Sequence, residues 1–258
     1  MSGLLLENKS AVIYGGGGSI GAAVARVFAR EGARVFLAGR TLARLDAVAR
    51  DIRAAGGDVD TAQVDVFDQV AVVHHADAVA AAGDGIDIAL NAVSVPHDQG
   101  TPLADLSVDE FMRPIDGFLR MLFITSQAVA RHMGRERPGV ILTLSEPGAR
   151  LTIPGILGHG VSAAGKETFA RLLAAELAPR GIRVAGIRPH AVVDAGAAGS
   201  YTADLFGPAD LAGLAQGTLL KRLPTLAEVA ETAAFLASDR AAAVTGTVAN
   251  LSAGALVD

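Results

Sequence analysis

The sequence predicts an α/β fold in which a seven-stranded, parallel, doubly wound sheet carries helices on both faces. Short β-branched runs alternate with Ala- and Leu-rich segments of helical period, the pattern of strand–helix–strand units around a parallel sheet. Hydrophobic residues make up 51% of the chain, aromatic residues only 4%, and Trp is absent, so Ala, Val, Leu and Ile must build the core. Because 258 residues show neither an internal repeat nor a break in composition, we expect residues 1–258 to form a single domain.

Each element is placed by its local pattern, with short apolar runs as strands and longer segments of 3.6-residue period as helices. Strands are predicted at Ser10–Tyr14, Arg34–Ala38, Asp58–Val64, Ile86–Asn91, Val140–Leu144, Ile182–Arg188 and Thr247–Leu251. Helices are predicted at Ser19–Glu31, Leu42–Ala54, Gln69–Ala82, Val108–Met133, Gly160–Ala178 and Leu226–Ser238.

One segment, Ala191 to Leu220, is predicted to be irregular because it is rich in Gly and Ala and carries little strand signal. It follows the sixth strand, and long loops at the carboxyl ends of such strands commonly cover ligands. We interpret it as a substrate lid; a plain surface insertion is the alternative.

Composition excludes several classes of function. The formal charge of -5, without a basic stripe, argues against nucleic acid and membrane surfaces as partners. The absence of Cys excludes disulfides and thiolate metal sites, and no tight spacing of other ligands is present, so we predict no metal. Residues 1–9 lack a signal-peptide pattern and no stretch approaches the roughly 18 apolar residues of a membrane span. We therefore expect a cytoplasmic protein.

A glycine-rich run joins the first strand directly to the first helix, a context that distinguishes it from a flexible linker. Gly15, Gly18 and Gly21 let the backbone turn tightly and approach a pyrophosphate. The N–H groups of Ser19 and Ile20 would lie at the positive end of the helix dipole, where an anion is favoured. The run predicts a dinucleotide-binding loop.

The second strand ends without the carboxylate that binds ribose hydroxyls in NAD-type folds. Instead Arg40 can form a charge-assisted bond to a 2′-phosphate, with Thr41 beside it. This pattern predicts NADP(H) as the cofactor. The alternative is a solvated Arg at the start of a helix.

Further motifs resemble those of the short-chain dehydrogenase/reductase family, which has a Rossmann-type fold. Asp65 and Val66 resemble its Asp-Val pair, which holds the adenine ring, and Asn91 and Ala92 resemble half of its Asn-Asn-Ala-Gly motif. The glycine spacing is similar to the GxxGxxG of extended and atypical members. The resemblance covers nearly the whole chain and implies a homodimer or homotetramer formed through the fourth and fifth helices. It extends to the tail, at Arg222-Leu223-Pro224, Glu228-Val229-Ala230, Phe235-Leu236-Ala237-Ser238 and Val244-Thr245-Gly246.

The resemblance also implies where an Asn-Ser-Tyr-Lys tetrad should lie, with Tyr moving a proton, Lys supporting it and Ser holding the substrate oxygen. Counting back from Glu176 by the family spacing places the Tyr position at His159 and the Lys position at Ala163. The fifth strand independently places the Ser position at Glu146, and the fourth helix places the Asn position at Phe118. All four side chains are therefore replaced.

A different set of side chains is predicted at the same sheet edge. Glu146 and His159 form a usable acid–base pair near neutral pH, with the carboxylate orienting the imidazole, and His97 and His190 should lie nearby. The alternative is that these residues have drifted in an idle cleft.

Two more residues are expected near this edge. Lys166 lies seven residues after His159 and is interpreted as a surface lysine of the helix; the alternative is a catalytic lysine that reaches the pocket after a shift. Asp194 stands where the family has a Thr that contacts the cofactor, and a carboxylate there would repel a pyrophosphate.

Three functions remain open. The first is an atypical NADP(H)-dependent oxidoreductase acting on a small carbonyl or alcohol substrate, with Glu146 and His159 as its acid–base pair. The second is a non-redox enzyme on the same scaffold, an isomerase, dehydratase, lyase or cyclase, which the Ala at 163 favours. The third is a non-catalytic protein that senses the cofactor or binds a partner. Fold analogy favours the first and the site favours the others.

Overall fold

A computed structural model describes residues 3–193 and 207–257, and seven strands in this part of the chain form one parallel sheet. The strand order is β3-β2-β1-β4-β5-β6-β7, with every neighbouring pair parallel, which confirms the predicted fold class. The strands are β1 (Ser10–Tyr14), β2 (Arg34–Gly39), β3 (Val59–Gln63), β4 (Ile88–Asn91), β5 (Val140–Leu144), β6 (Arg183–Pro189) and β7 (Thr247–Leu251).

Helices cover both faces of the sheet, because each face carries its own apolar cluster. On one face Val24, Val48 and Val229 pack from three helices, and on the other face Val72 and Leu122 pack from two more. No helix in the described ranges is both long and apolar enough to cross a bilayer. The helices are α1 (Ser19–Arg30), α2 (Leu42–Ala54), α3 (Gln69–Ala82), α4 (Val108–Ala130), α5 (Leu157–Leu177), α6 (Pro208–Gly217) and α7 (Leu226–Ala237).

The strand order reverses between β1 and β4, and this is where an open parallel sheet forms a crevice for ligands. Tyr14 pairs in register with Asn91 at the carboxyl ends of the two strands. The N–H of Ala92 donates to the carbonyl oxygen of Tyr14 at 2.8 Å, so the loop that leaves β4 starts beside the loop that leaves β1.

Several helix ends differ from the predicted ones by one to three residues, and one helix was not predicted. Helix α6 lies inside the segment 191–220 predicted to be irregular; it begins at Pro208, and its Asp210 carboxylate accepts from the Gly207 N–H at 3.0 Å. Helix α5 begins at Leu157 rather than at Gly160, because Gly158 packs closely on the backbone of α4, and this contact outweighs the weak helix propensity of glycine. As a result, His159 lies in the first turn of α5.

Candidate functional site

The glycine loop after β1 is shaped by two close backbone approaches. Gly15 has a φ of +85°, and a Cβ there would lie 2.5 Å from the carbonyl oxygen of Ala92. A Cβ on Gly21 would overlap the carbonyl oxygen of Gly15. Both positions therefore require glycine, and the loop is held against the end of β4. We call the loop from Gly15 to Gly21 the glycine cradle.

The first turn of α1 faces this loop without a side-chain cap. Gly18 is the N-cap residue, and the first turn, which contains Ser19 and Ile20, carries no acidic residue. The N–H groups of a first turn lack partners within the helix, and the helix dipole makes this end positive. The arrangement suits an anion such as a pyrophosphate.

The residues at the ends of β2 and β3 are mostly exposed. The carbonyl oxygen of Arg40 accepts from the side-chain amide of Gln63 at 2.9 Å, and the Arg40 guanidinium makes no ion pair or hydrogen bond with the described residues. Thr41 is the N-cap residue of α2. The Asp65 carboxylate accepts from the backbone N–H of Phe67 at 3.1 Å, and Val66 beside it is buried.

Asn91 is the last residue of β4, at the crevice, and only one of the two polar atoms of its side-chain amide is hydrogen-bonded. Its Oδ1 accepts from Thr125 Oγ1 at 2.8 Å, whereas its Nδ2 is buried and has no partner in the described chain. A buried unpaired donor is costly, which suggests that an acceptor from outside the chain completes it.

The carboxylate after β5 is bonded to a lysine from α5. Glu146 Oε1 and Oε2 accept from Lys166 Nζ at 2.6 and 2.5 Å. The Lys166 side chain is only 2% exposed, whereas that of Glu146 is 31% exposed. The ammonium also lies 3.9 Å from the ring centroid of Phe118, a cation–π contact. We call these three residues the lysine–glutamate cluster.

This cluster corrects the interpretation of Lys166 as a surface lysine. Seven residues are nearly two helical turns, so Lys166 lies on the same face of α5 as His159 and points into the protein. A sequence signal was available, since a carboxylate at the sheet edge needs a counter-charge when it is partly buried.

His159 is buried and stacked on a second histidine. The rings of His97 and His159 are 4.5 Å apart between centroids and 15° from parallel, and His159 Nδ1 has no partner within the described residues. Burial lowers the pKa of His159 to about 4, only partly opposed by the Glu146 charge, so its imidazole is neutral at pH 7. The structure thus brings Glu146, His159 and His97 together, but within the described residues Glu146 bonds to Lys166 and not to the His159 imidazole.

Other predicted residues lie around this group. Ala163 is fully buried, and its methyl group offers no polar atom to a ligand. Ser145, the residue before Glu146, is buried and donates to Glu167 at 3.0 Å, and Glu167 also accepts from Arg188 at 2.8 Å. His190 is partly buried, and burial lowers its pKa. Asp194 and the adjoining part of the predicted lid, through residue 206, lie outside the described residues.

The accessible chemistry of this edge is that of a proton acceptor. The partly exposed carboxylate of Glu146 and the neutral ring of His159 can accept protons. The ammonium of Lys166 is buried on the protein side of the carboxylate. Phe118, Glu146, His159 and Ala163, the residues that the family spacing places at the tetrad positions, carry no hydroxyl group.

A doubly wound sheet with a glycine cradle at the point where the strand order reverses defines a dinucleotide-binding protein. The family model described as enoyl-(acyl carrier protein) reductase matches residues 16–255. The chain belongs to the short-chain dehydrogenase/reductase family and is an oxidoreductase of that family. Members use a nicotinamide cofactor, and the cradle and the unpaired Asn91 amide are consistent with one.

Individual relatives span the same length. The chain is 32% identical over 250 residues to an uncharacterised oxidoreductase of Methylorubrum extorquens, covering 96% of this chain and 98% of that protein. It is 32% identical over 245 residues to 3beta-hydroxysteroid dehydrogenase 1 of Eggerthella lenta, covering 94% and 91%. The structure of a 7α-hydroxysteroid dehydrogenase complexed with NADH and 7-oxo glycochenodeoxycholic acid matches with a TM-score of 0.88 at 27% identity, covering 99% of this chain and 97% of that one.

Proposed function

We propose that this chain binds NADP(H) and transfers a hydride between it and a small carbonyl or alcohol substrate, with Glu146 and His159 as the acid–base groups. The observation that carries the proposal is the exposed guanidinium of Arg40, which has no partner among the described residues and lies at the end of β2, next in the sheet to the strand that leads into the glycine cradle. A guanidinium suits a 2′-phosphate, and no carboxylate stands there to favour NAD(H).

The residues that would hold the cofactor follow from their positions. The glycine cradle with Ser19 and Ile20 would bind the pyrophosphate, Arg40 and Thr41 the 2′-phosphate, and Asp65 with Val66 the adenine. Asn91 and Ala92 would line the crevice beneath it. When bound, the nicotinamide supplies or takes up the hydride.

The chain's own residues then handle the proton. In alcohol oxidation the Glu146 carboxylate would accept the hydroxyl proton, since it is the partly exposed end of its ion pair. His159, neutral at pH 7, would accept a hydrogen bond or a proton beside it. The stacked His97 ring limits the rotation of His159 and so positions it.

Cofactor preference tests the first half of the proposal. Arg40→Ala should raise the Kd of NADPH roughly 10- to 100-fold, the effect of losing hydrogen bonds to a charged group, and should leave the Kd of NADH nearly unchanged. Arg50→Ala is the matched control, because Arg50 is also exposed and lies on α2, the helix that follows Arg40. Titrations followed by NADPH fluorescence measure both constants. Failure of the wild type to bind either nucleotide would refute the proposal.

Turnover tests the second half. NADPH oxidation is measured with ketones, enones and quinones in wild type and His159→Phe. Lower rates in the variant, at unchanged NADPH affinity, support the role of His159, and equal rates exclude it.

A non-redox reaction on the same scaffold is the second candidate, and the environment of Ala163 favours it. In the family a lysine at this position grips the nicotinamide ribose, whereas Ala163 is fully buried and the nearby Lys166 is bonded to Glu146. Substrate turnover that continues without any nicotinamide cofactor would establish this candidate instead.

We also propose a homodimer or homotetramer built through α4 and α5. Phe123 of α4 is 54% exposed, and Val108, Met112 and Leu172 are exposed on the same two helices. Light scattering on the purified chain measures the mass, and a monomer at micromolar concentration would refute this.

A further inference from the structure

The charges of the lysine–glutamate cluster are arranged with a definite polarity. The carboxylate of Glu146 is 31% exposed and the ammonium of Lys166 is 2% exposed, so the negative end of the ion pair faces outward. Two lone pairs of the carboxylate accept from Lys166, and a carboxylate has about four, so acceptor sites remain free. The third member, Phe118, offers no polar group. The site therefore presents the carboxylate end of a neutral ion pair, with free acceptor sites, to whatever binds beside it.

This polarity opposes the charge that develops on a carbonyl substrate. Hydride addition to a C=O bond places negative charge on oxygen, which a fixed positive charge or a proton donor must stabilise in the transition state. Glu146 stands where the family's Ser holds that oxygen. His159 stands where Tyr donates the proton, and its low pKa leaves the ring neutral at pH 7, with a single N–H to donate. Neither replacement brings a positive charge to a developing alkoxide.

The same polarity matches the charge that develops on a C–N bond. When an amine loses hydride, its nitrogen becomes positive, and the free carboxylate lone pairs of Glu146 would accept a charge-assisted hydrogen bond from its N–H. The neutral imidazole of His159 adds no positive charge that would repel it.

Building on the proposed dinucleotide-dependent hydride transfer, we propose that this site prefers a secondary amine and its protonated imine to an alcohol and its ketone. The hydride leaves the carbon next to nitrogen for the oxidised nicotinamide of NADP⁺, and the nitrogen lone pair forms the C=N bond. In the reverse direction the hydride of NADPH adds to the iminium carbon, and the C=N electron pair returns to nitrogen. A secondary amine is protonated near neutral pH, so one N–H proton must first leave, and the partly exposed carboxylate of Glu146 would accept it. The hydride step itself then moves no proton and does not need the missing tyrosine.

Paired substrates of similar size test this. NADPH oxidation is measured with the cyclic imines pyrroline and dihydroisoquinoline and with the ketones cyclopentanone and tetralone. We expect kcat/KM for each imine to exceed that for its matched ketone by about tenfold or more, the size of one charge-assisted hydrogen bond. Ketones reduced faster than imines would overturn the amine proposal and support the proposed carbonyl function. Failure to reduce either class, in a protein that binds NADPH, would overturn both.

Substitution of the carboxylate tests the cause. Glu146→Gln leaves the buried ammonium of Lys166 uncompensated and makes the site positive. We expect kcat/KM for imines to fall roughly 10- to 100-fold while that for ketones holds or rises. Glu146→Asp keeps the charge and should keep the preference for imines. The exposed Glu176→Gln, on the same helix as Lys166, should change neither value.

NADPH affinity and circular dichroism establish that each variant is folded. An unchanged imine-to-ketone ratio in folded Glu146→Gln would overturn the proposal. If that variant does not fold, the ratios in the wild type and in Glu146→Asp decide the question.

Discussion

Replacing Lys166 with methionine should lower the free energy of unfolding by about 2–3 kcal/mol, because it removes the counter-charge of Glu146 while keeping an apolar side chain against Phe118. The ion pair is short, at 2.5–2.6 Å, and its lysine is almost completely buried. This substitution tests whether the contacts of Lys166 with Glu146 and Phe118 stabilise the folded chain.

The magnitude follows from the burial of the two partners. Removing one partner of a fully buried ion pair costs about 3–5 kcal/mol, since the other charge is left uncompensated. Glu146 is 31% exposed, so water can solvate part of its charge, and the cost is reduced toward that of surface pairs, which contribute about 0–1 kcal/mol. Loss of the cation–π contact with Phe118 adds roughly 0.5–1 kcal/mol.

Urea denaturation followed by circular dichroism measures the change, and the melting temperature should fall by about 4–12 °C. A double-mutant cycle with Glu146→Gln isolates the pair itself, with an expected coupling of about 1–3 kcal/mol. Lys9→Met is the matched control, because Lys9 makes an exposed ion pair with Asp239 at 3.4 Å and should contribute about 0–1 kcal/mol.

Two results would refute the reasoning. One is a loss for Lys166→Met no larger than that for Lys9→Met. The other is additivity of the single variants within about 0.5 kcal/mol, which would mean that the two side chains do not interact.

Two further predictions concern the imidazole and the cradle. The pKa of His159 falls from 6.5 to about 4, so the unfolded chain binds the proton first and stability falls as the pH drops through this window, by up to about 3 kcal/mol. In His159→Leu the free energy of unfolding, measured by urea denaturation near pH 4 and near pH 7, should therefore fall less between the two pH values than in the wild type. An equal fall in both proteins would contradict this prediction. Gly21→Ala should weaken NADPH binding at least about tenfold in the fluorescence titration, because its Cβ would overlap the Gly15 carbonyl oxygen. Gly213→Ala, with open space at its Cβ, should leave binding unchanged; equal affinity in both variants would mean that the cradle tolerates the side chain.

The fold could be predicted because its signals are local. The periodicity of β-branched and apolar runs identified all seven strands, and the bounds of β1, β5 and β7 agree with the structure. Helix α6 was missed because Gly and Ala dilute its pattern, although Pro208 and Asp210 form a recognisable helix start. The beginning of α5 was misplaced because packing against α4, which no local pattern records, decides it.

The sequence indicated where the candidate site lies but not which of its side chains bond to one another. Fixed family spacing placed Glu146 and His159 at the same sheet edge, and the structure brings them together there. The hydrogen bonds were not predictable in the same way, because they depend on which side chain fills the space beside Phe118. That side chain is Lys166, so the carboxylate bonds to an ammonium rather than to the imidazole.

The lysine–glutamate cluster also limits which single substitutions could introduce the family's tetrad into this chain. Returning Ser to position 146 alone would leave the ammonium of Lys166 buried without a counter-ion. Returning Lys to position 163 alone would introduce a second ammonium where the charge is already balanced and where the methyl group of Ala163 is fully enclosed. Each of these single substitutions is therefore expected to lower stability. Introducing the family's tetrad into this chain would require several of these positions to change together.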